Sequence, residues 1–101
     1  MPVLVAIVSP KPGKIDEAAN TFSAIIPAVH DEPGCELYAL HRNADKLVMI
    51  EKWADAETLA AHGRAPALAK LGAKMGDLVA EPMQLLILEP VPVGDPAKGA
   101  I

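Results

Sequence analysis

Residues 35–54, CELYALHRNADKLVMIEKWA, decide the fold. Cys35 to Arg42 alternates well enough to predict a strand, Asn43-Ala44-Asp45-Lys46 has the residue types of a tight turn, and Leu47 to Ala54 predicts a second strand. The stretch therefore reads as a β-hairpin. Folded symmetrically about Ala44-Asp45, it pairs Arg42 with Leu47, Leu40 with Met49, Tyr38 with Glu51 and Glu36 with Trp53. Alternation then sorts the side chains onto two faces. One face carries Cys35, Leu37, Ala39, Val48 and Ile50, small and apolar, suited to lie under helices. The other carries Glu36, Tyr38, Leu40, Arg42, Leu47, Met49, Glu51 and Trp53, with aromatic rings beside carboxylates and an arginine.

Before the hairpin, Val3 to Ser9 (VLVAIVS) is β-branched and apolar at both parities, the pattern of a strand buried on two faces. Pro10-Lys11-Pro12-Gly13 ends it. From Lys14 onward, Ile15, Ala18, Ala19, Phe22, Ile25, Ile26 and Val29 recur at helical spacing, with Asp16 and Glu17 in the first turn where the helix dipole favours acids. Pro27 removes the bond to the Ser23 carbonyl and predicts a kink or an early end. Glu32-Pro33-Gly34 is the break before the hairpin.

After the hairpin, Asp55 reads as the N-cap of a short helix ending near His62-Gly63, with Gly63 expected in the left-handed C-terminal position. Pro66 opens another helix through Leu68, Leu71, Met75 and Leu78, and Glu81 to Glu89 is the last strand. The order strand, helix, strand, strand, helix, strand is the split βαβ arrangement of a ferredoxin-like α+β domain, an antiparallel sheet with helices on one face. That domain spans residues 1–89. Residues 90–101 carry three prolines and predict an extended or unordered arm.

The whole chain has 101 residues, 51% hydrophobic and 22% charged, the profile of one compact domain. A domain this short buries somewhat over roughly 60% of its unfolded surface, so association is a natural way to bury more. Nine basic against thirteen acidic residues leave a net charge of −4 with no basic cluster, which excludes a nucleic-acid groove. The apolar run Val3–Val8 is too short for a signal peptide or a membrane span, and a single cysteine, Cys35, suits a reducing, cytoplasmic setting and no structural metal site. No metal and no membrane partner are expected.

A single copy would expose Tyr38, Leu40, Leu47, Met49 and Trp53 on the second hairpin face, a patch that monomers seldom tolerate. Two sheets packed face to face would cover it. They would enclose either a plain apolar interface or a lined cavity with a few polar groups, the usual composition of a small-molecule site.

These residues resemble a known family. Glu32-Pro33-Gly34-Cys35 followed by Tyr38, Leu40 and His41, then Glu51-Lys52-Trp53 with Asp55 and His62, is similar to the antibiotic biosynthesis monooxygenase domain, including its quinol monooxygenase-like branch. Lys11-Pro12-Gly13-Lys14 before the first helix also fits, and the resemblance runs from about Val3 to Leu88. It implies a homodimer forming a dimeric α+β barrel, with cofactor-independent oxygenation of a small phenol- or quinol-type aromatic substrate by dioxygen. An electron-rich substrate anion can pass an electron to dioxygen itself, so the protein need supply only a base, a dry pocket and donors for the developing oxyanion. The catalytic candidates are Glu51 or His62 as the base and Trp53 as wall and indole donor. Tyr38 or Arg42 is the hydrogen-bonding candidate toward substrate, and Leu40 and Met49 complete the substrate-binding set.

Each candidate also has a structural reading. Glu51 can pair with Arg42 or Lys52, and His62 can serve as a charged group at a helix C-terminus. Heme-degrading relatives use an asparagine on the first strand, and Val3 to Ser9 has none. A non-catalytic ligand-binding or structural dimer, and an isomerase on the same scaffold, are the alternatives, because fold alone does not fix a reaction.

Overall fold

The computed structural model describes residues 1–101. Its elements are β1 (Val3–Val8), α1 (Ile15–His30), β2 (Cys35–Arg42), β3 (Leu47–Trp53), α2 (Ala56–Gly63), α3 (Pro66–Met75) and β4 (Gln84–Leu88). The four strands form one sheet in the order β2-β3-β1-β4, and every neighbouring pair is antiparallel. This is the ferredoxin-like α+β arrangement. All three helices contribute to a single core against one face, built around Phe22, Ile25 and Val29 of α1, Leu71 and Met75 of α3, and Ala6, Leu47, Met49 and Trp53 of the sheet.

Local chemistry explains the element boundaries. α1 buries Ala18, Phe22, Ile25 and Val29 and keeps Asp16 and Glu17 in its first turn. It runs through Pro27 without a break, because Pro27 and Ser23 both lie on the exposed side, where the freed carbonyl can take water. α2 starts on a capping box: the Asp55 carboxylate accepts from the Thr58 N–H at 2.8 Å, and the Thr58 hydroxyl takes the Asp55 N–H. Those bonds to Thr58 hold the Asp55 carboxyl below the usual carboxylate range. Gly63 stays within α2 and does not take the left-handed conformation; Arg64 caps the helix in right-handed geometry instead. The last strand is trimmed to Gln84–Leu88, and residues 90–101 hold no strand or helix but fold back through a turn at Asp95, bringing Ile101 beside Val3.

Hairpin register follows the symmetric pairing from Arg42↔Leu47 to Leu37↔Lys52 and then departs from it. A bulge between Cys35 and Leu37 places Cys35, rather than Glu36, opposite Trp53. Glu36 is turned outward, where its carboxylate lies 3.8 Å from the Lys52 ammonium.

The larger correction concerns which face lies under the helices. Tyr38, Leu47, Met49, Glu51 and Trp53 are at most 3% exposed, covered by the helices of their own chain rather than by a second sheet. The opposite face, with Val5, Ile7, Leu37, Ala39, Val48 and Ile50, has no helix on it. Parity determines which residues travel together, but the crossover through α1 determines which set is covered. β1 is buried more fully on one side than on the other: Leu4, Ala6 and Val8 are buried under the helices, while on the opposite side Val3 is buried and Val5 and Ile7 are half-buried.

Gly34, in the turn between α1 and β2, has φ +80°, and a Cβ there would lie 2.5 Å from the Thr58 side chain. Gly13 has the same φ but open space around it. Gly13→Ala therefore measures backbone strain alone, while Gly34→Ala adds the clash with α2. The expected cost is ~1–3 kcal/mol for Gly13→Ala and distinctly more for Gly34→Ala, read from thermal unfolding. Equal melting temperatures for the two variants would contradict the close packing of this turn on α2.

Candidate functional site

Glu51 sits in the middle of β3 on the helix-covered face, and Trp53 follows on the same side because strand side chains alternate. The Trp53 indole N–H donates to Glu51 Oε1 at 2.9 Å. His62 arrives from the last turn of α2 and stacks on Trp53, ring centroids 4.6 Å apart with 29° between planes. Its Nε2 lies 3.8 Å from Glu51 Oε1, beyond a hydrogen bond but within strong electrostatic reach. On its other side, Nδ1 lies 2.9 Å from Glu32 Oε1. Tyr38, directly across the hairpin from Glu51, sets its ring edge-on to His62 at 5.4 Å.

These groups close one end of a cavity of about 280 Å³ between the sheet and the helices. Its walls are Leu4, Ala6, Leu85 and Ile87 from the sheet, Phe22 from α1, Leu59 and Ala60 from α2 and Leu68 from α3, with Met83 at the side of β4. Polar side chains reach it only at Glu51, His62 and Tyr38. Trp53 does not line it and stands behind Glu51 and His62 as a fully buried support. A larger, shallower groove of about 820 Å³ shares Leu59, Ala60 and Ile87 with the cavity, but its only charged side chains are Asp55 and Glu89. That groove holds no histidine and no tyrosine.

Burial dominates the electrostatics. It pushes the Glu51 carboxyl up; the Trp53 N–H bond and His62 pull back toward the charged form, and the nearby Glu32 charge adds to the rise. Burial likewise raises the Tyr38 phenol, helped by Glu51 and Glu32, so Tyr38 stays a neutral donor at physiological pH. The Cys35 thiol is raised by burial and by the same two carboxylates, which makes it a partly buried apolar group rather than a nucleophile. A carboxylate raised in this way is a stronger base than an ordinary one, which is the property a proton-abstracting site requires.

The structure brings Glu51, His62 and Tyr38 to the cavity with Trp53 in support, and leaves three other candidates away from it. Met49 is fully buried in the core, and Leu40 packs against that core from the side. Arg42 stands at the far end of β2, exposed, with Nη1 3.0 Å from Asp16 Oδ1 on α1. An exposed pair of this kind contributes little stability and has no view of the cavity. Leu40 and Arg42 share a face with Tyr38, but strand rise carries them along the sheet away from Glu51. Glu32, in contrast, escapes sequence reasoning: its turn looks like a simple break, and only the closed fold sets it against His62. No group of three or more His, Cys, Asp or Glu side chains is arranged to hold a metal ion, and no helix is long and apolar enough to cross a membrane.

Comparison with known proteins adds an independent line. A family model for antibiotic biosynthesis monooxygenase matches residues 1–74, which contain Glu32, Tyr38, Glu51, Trp53 and His62. The chain is 27% identical over 90 residues to a Mycobacterium tuberculosis protein, "Putative monooxygenase Rv0793", covering 87% of this chain and 89% of that one. The solved structure of Rv0793 superposes with a TM-score of 0.84 at 26% identity, over 94% of this chain and all of that one. A Caulobacter crescentus CB15 structure gives a TM-score of 0.82 at 28% identity over 89% of each chain. PA3566 from Pseudomonas aeruginosa, 22% identical, shares the fold with a TM-score of 0.81 over 89% of this chain and 93% of its own.

The raised Glu51 carboxyl gives stability a signed pH dependence. Its folded value lies above its ordinary 4.5, so the folded state holds this proton more tightly than the unfolded chain does. The stability linked to it is complete below pH 4.5 and is lost as pH rises through the raised folded value. Denaturant midpoints across that range should fall for the wild type relative to Glu51→Gln, which has no such proton to lose. Parallel pH profiles for the two proteins would contradict the burial of a titrating carboxyl here.

Proposed function

The chain belongs to the antibiotic biosynthesis monooxygenase family, and from that premise we propose that it oxidises a small aromatic substrate of the phenol or quinol type with dioxygen, without a bound cofactor. The observation that carries this reading is the cavity: apolar along its walls, with Glu51, His62 and Tyr38 gathered at one end. Such a space suits a flat, apolar ring whose acidic hydroxyl enters first. Glu51 and His62 act as a pair that takes the hydroxyl proton, and Tyr38 donates a hydrogen bond to oxygen as charge develops. Trp53 keeps the Glu51 carboxyl aimed at that end through its indole N–H.

Once deprotonated, an electron-rich ring can reduce dioxygen directly. A quinol supplies all four electrons: one oxygen atom enters the ring to give a hydroxyquinone and the other leaves as water. The protein's share is to make the anion and to keep bulk water from the reactive intermediates. Burial of Glu51, His62 and Tyr38 serves the second purpose, and the same burial underlies the raised Glu51 carboxyl.

We further propose that the working unit is a homodimer, joined through the sheet face that carries no helix. Val5, Ile7, Val48 and Ile50 lie side by side there across β1 and β3. Burying them against a second copy would remove a continuous apolar surface from water and produce a dimeric α+β barrel, with each cavity on the outer, helical side of its own sheet.

The test is oxygen uptake with a series of simple quinols, followed by product analysis for one incorporated oxygen atom. Glu51→Gln is expected to lower kcat by roughly 10²- to 10⁴-fold, the range of a lost acid–base group. Trp53→Phe keeps an aromatic ring but removes the donor to Glu51, and should reduce turnover without separating the dimer. Quinol binding without oxygen consumption would replace this reading with a ligand-binding module. Light scattering decides the second proposal: Ile50→Lys should convert a dimer to a monomer, and a monomeric wild type would refute it.

A further inference from the structure

Glu32 has an environment that a turn residue does not ordinarily have. It lies in the Glu32-Pro33-Gly34 link between α1 and β2, yet its side chain is only 16% exposed and is directed at His62. Oε1 lies 2.9 Å from His62 Nδ1, while Oε2 is inaccessible to water and has no partner. The link is held firmly: the Cys35 N–H donates to the Glu32 carbonyl at 3.2 Å, and the Ala54 N–H to the Gly34 carbonyl at 2.8 Å. Thr58 of α2 fills the space where a Gly34 Cβ would be, so the turn rests directly on the helix that presents His62. Burying a carboxylate with one oxygen unpaired is costly, and an apolar residue would fill the place at lower cost.

An ionised carboxylate can only accept, so the hydrogen bond at Nδ1 requires the ring to carry its proton there. The bond made by one imidazole nitrogen determines the state of the other. The charged and titratable groups around the ring are Glu32 from the turn after α1, Glu51 from β3 and Tyr38 from β2. Of these, only Glu32 lies within hydrogen-bond distance of a ring nitrogen.

We infer that Glu32 is a positioning residue: it holds His62 in the Nδ1-protonated tautomer, so that Nε2, on the Glu51 side, is the free lone pair that receives the substrate's proton. The step is a simple transfer. The substrate O–H bond breaks, an Nε2–H bond forms, and the electron pair stays on the substrate oxygen. The imidazolium produced lies between two carboxyl groups, Glu32 at 2.9 Å and Glu51 at 3.8 Å. The role in proton transfer rests on the oxygenase reading above; the tautomer does not.

Long-range ¹H–¹⁵N correlation spectra of uniformly labelled protein, at a pH where the His62 ring is neutral, test the inference without any substrate. The wild type should show a protonated Nδ1 and an unprotonated Nε2, and Glu32→Leu should move the proton to Nε2. A wild-type ring protonated at Nε2 overturns the proposal even if no variant folds, and so does a Glu32→Leu ring that keeps its proton on Nδ1. In turnover, Glu32→Leu should lower kcat roughly 10²-fold while KM changes less than about twofold. Unchanged kcat in Glu32→Leu would refute the part in proton transfer. A wild type that consumes no oxygen with any quinol would instead refute the proposed reaction and leave the tautomer to be decided by the spectra.

Discussion

The hydrogen bond from the Trp53 indole to Glu51, at 2.9 Å, is the contact on which the covered half of the sheet depends. A carboxyl 2% exposed in the middle of a strand would be a severe burden on a domain of this size if left alone. Here the indole meets one oxygen, and the same indole provides the surface on which His62 stacks. His62 in turn meets Glu32. Three ionisable side chains from β3, α2 and the turn before β2 are thus buried together rather than one by one. Replacing Trp53 by phenylalanine would keep an aromatic ring but leave Glu51 without its donor, which costs ~1–3 kcal/mol for a buried unpaired group, apart from the volume lost.

This arrangement explains why the helices cover the face that bears polar groups. An apolar face can be covered by anything apolar, including another copy of the sheet. A face carrying Glu51, Tyr38 and Trp53 needs partners with matching donors and acceptors, and α2 together with the α1–β2 turn supplies them from within the chain. The more uniformly apolar face, with Val5, Ile7, Val48 and Ile50, is left free of helices. Division of the sheet in this way keeps the polar groups inside the chain and leaves an apolar surface outside it.

Legibility in the sequence follows the range of each signal. Element order, the hairpin and the Asp55 cap depend on neighbours within a few residues, and local chemistry was enough to read them. Alternation also correctly grouped Tyr38, Glu51 and Trp53. It did not determine which face the helices would cover, because that depends on the path of the crossover through α1. Grouping by face also over-counted the site: Leu40, Met49 and Arg42 share the face but lie further along the sheet, and a cavity is bounded in two dimensions. Glu32 was not visible as a site residue, since it meets His62 across thirty positions of chain and sits in a run that reads as a turn.

Position along the chain also links the site to stability. α2 is a short helix, and short helices are marginal without tertiary support. Its start is fixed by the Asp55–Thr58 capping box, its middle by Thr58 against Gly34, and its end by His62 between Trp53 and Glu32. His62 therefore anchors the helix that carries it. Loss of its contact with Glu32 would loosen the end of α2 and, with it, the Leu59 and Ala60 wall of the cavity. A group that both holds a helix and faces a cavity is kept in one orientation by the packing of the whole element, which is the preorganisation that proton transfer needs.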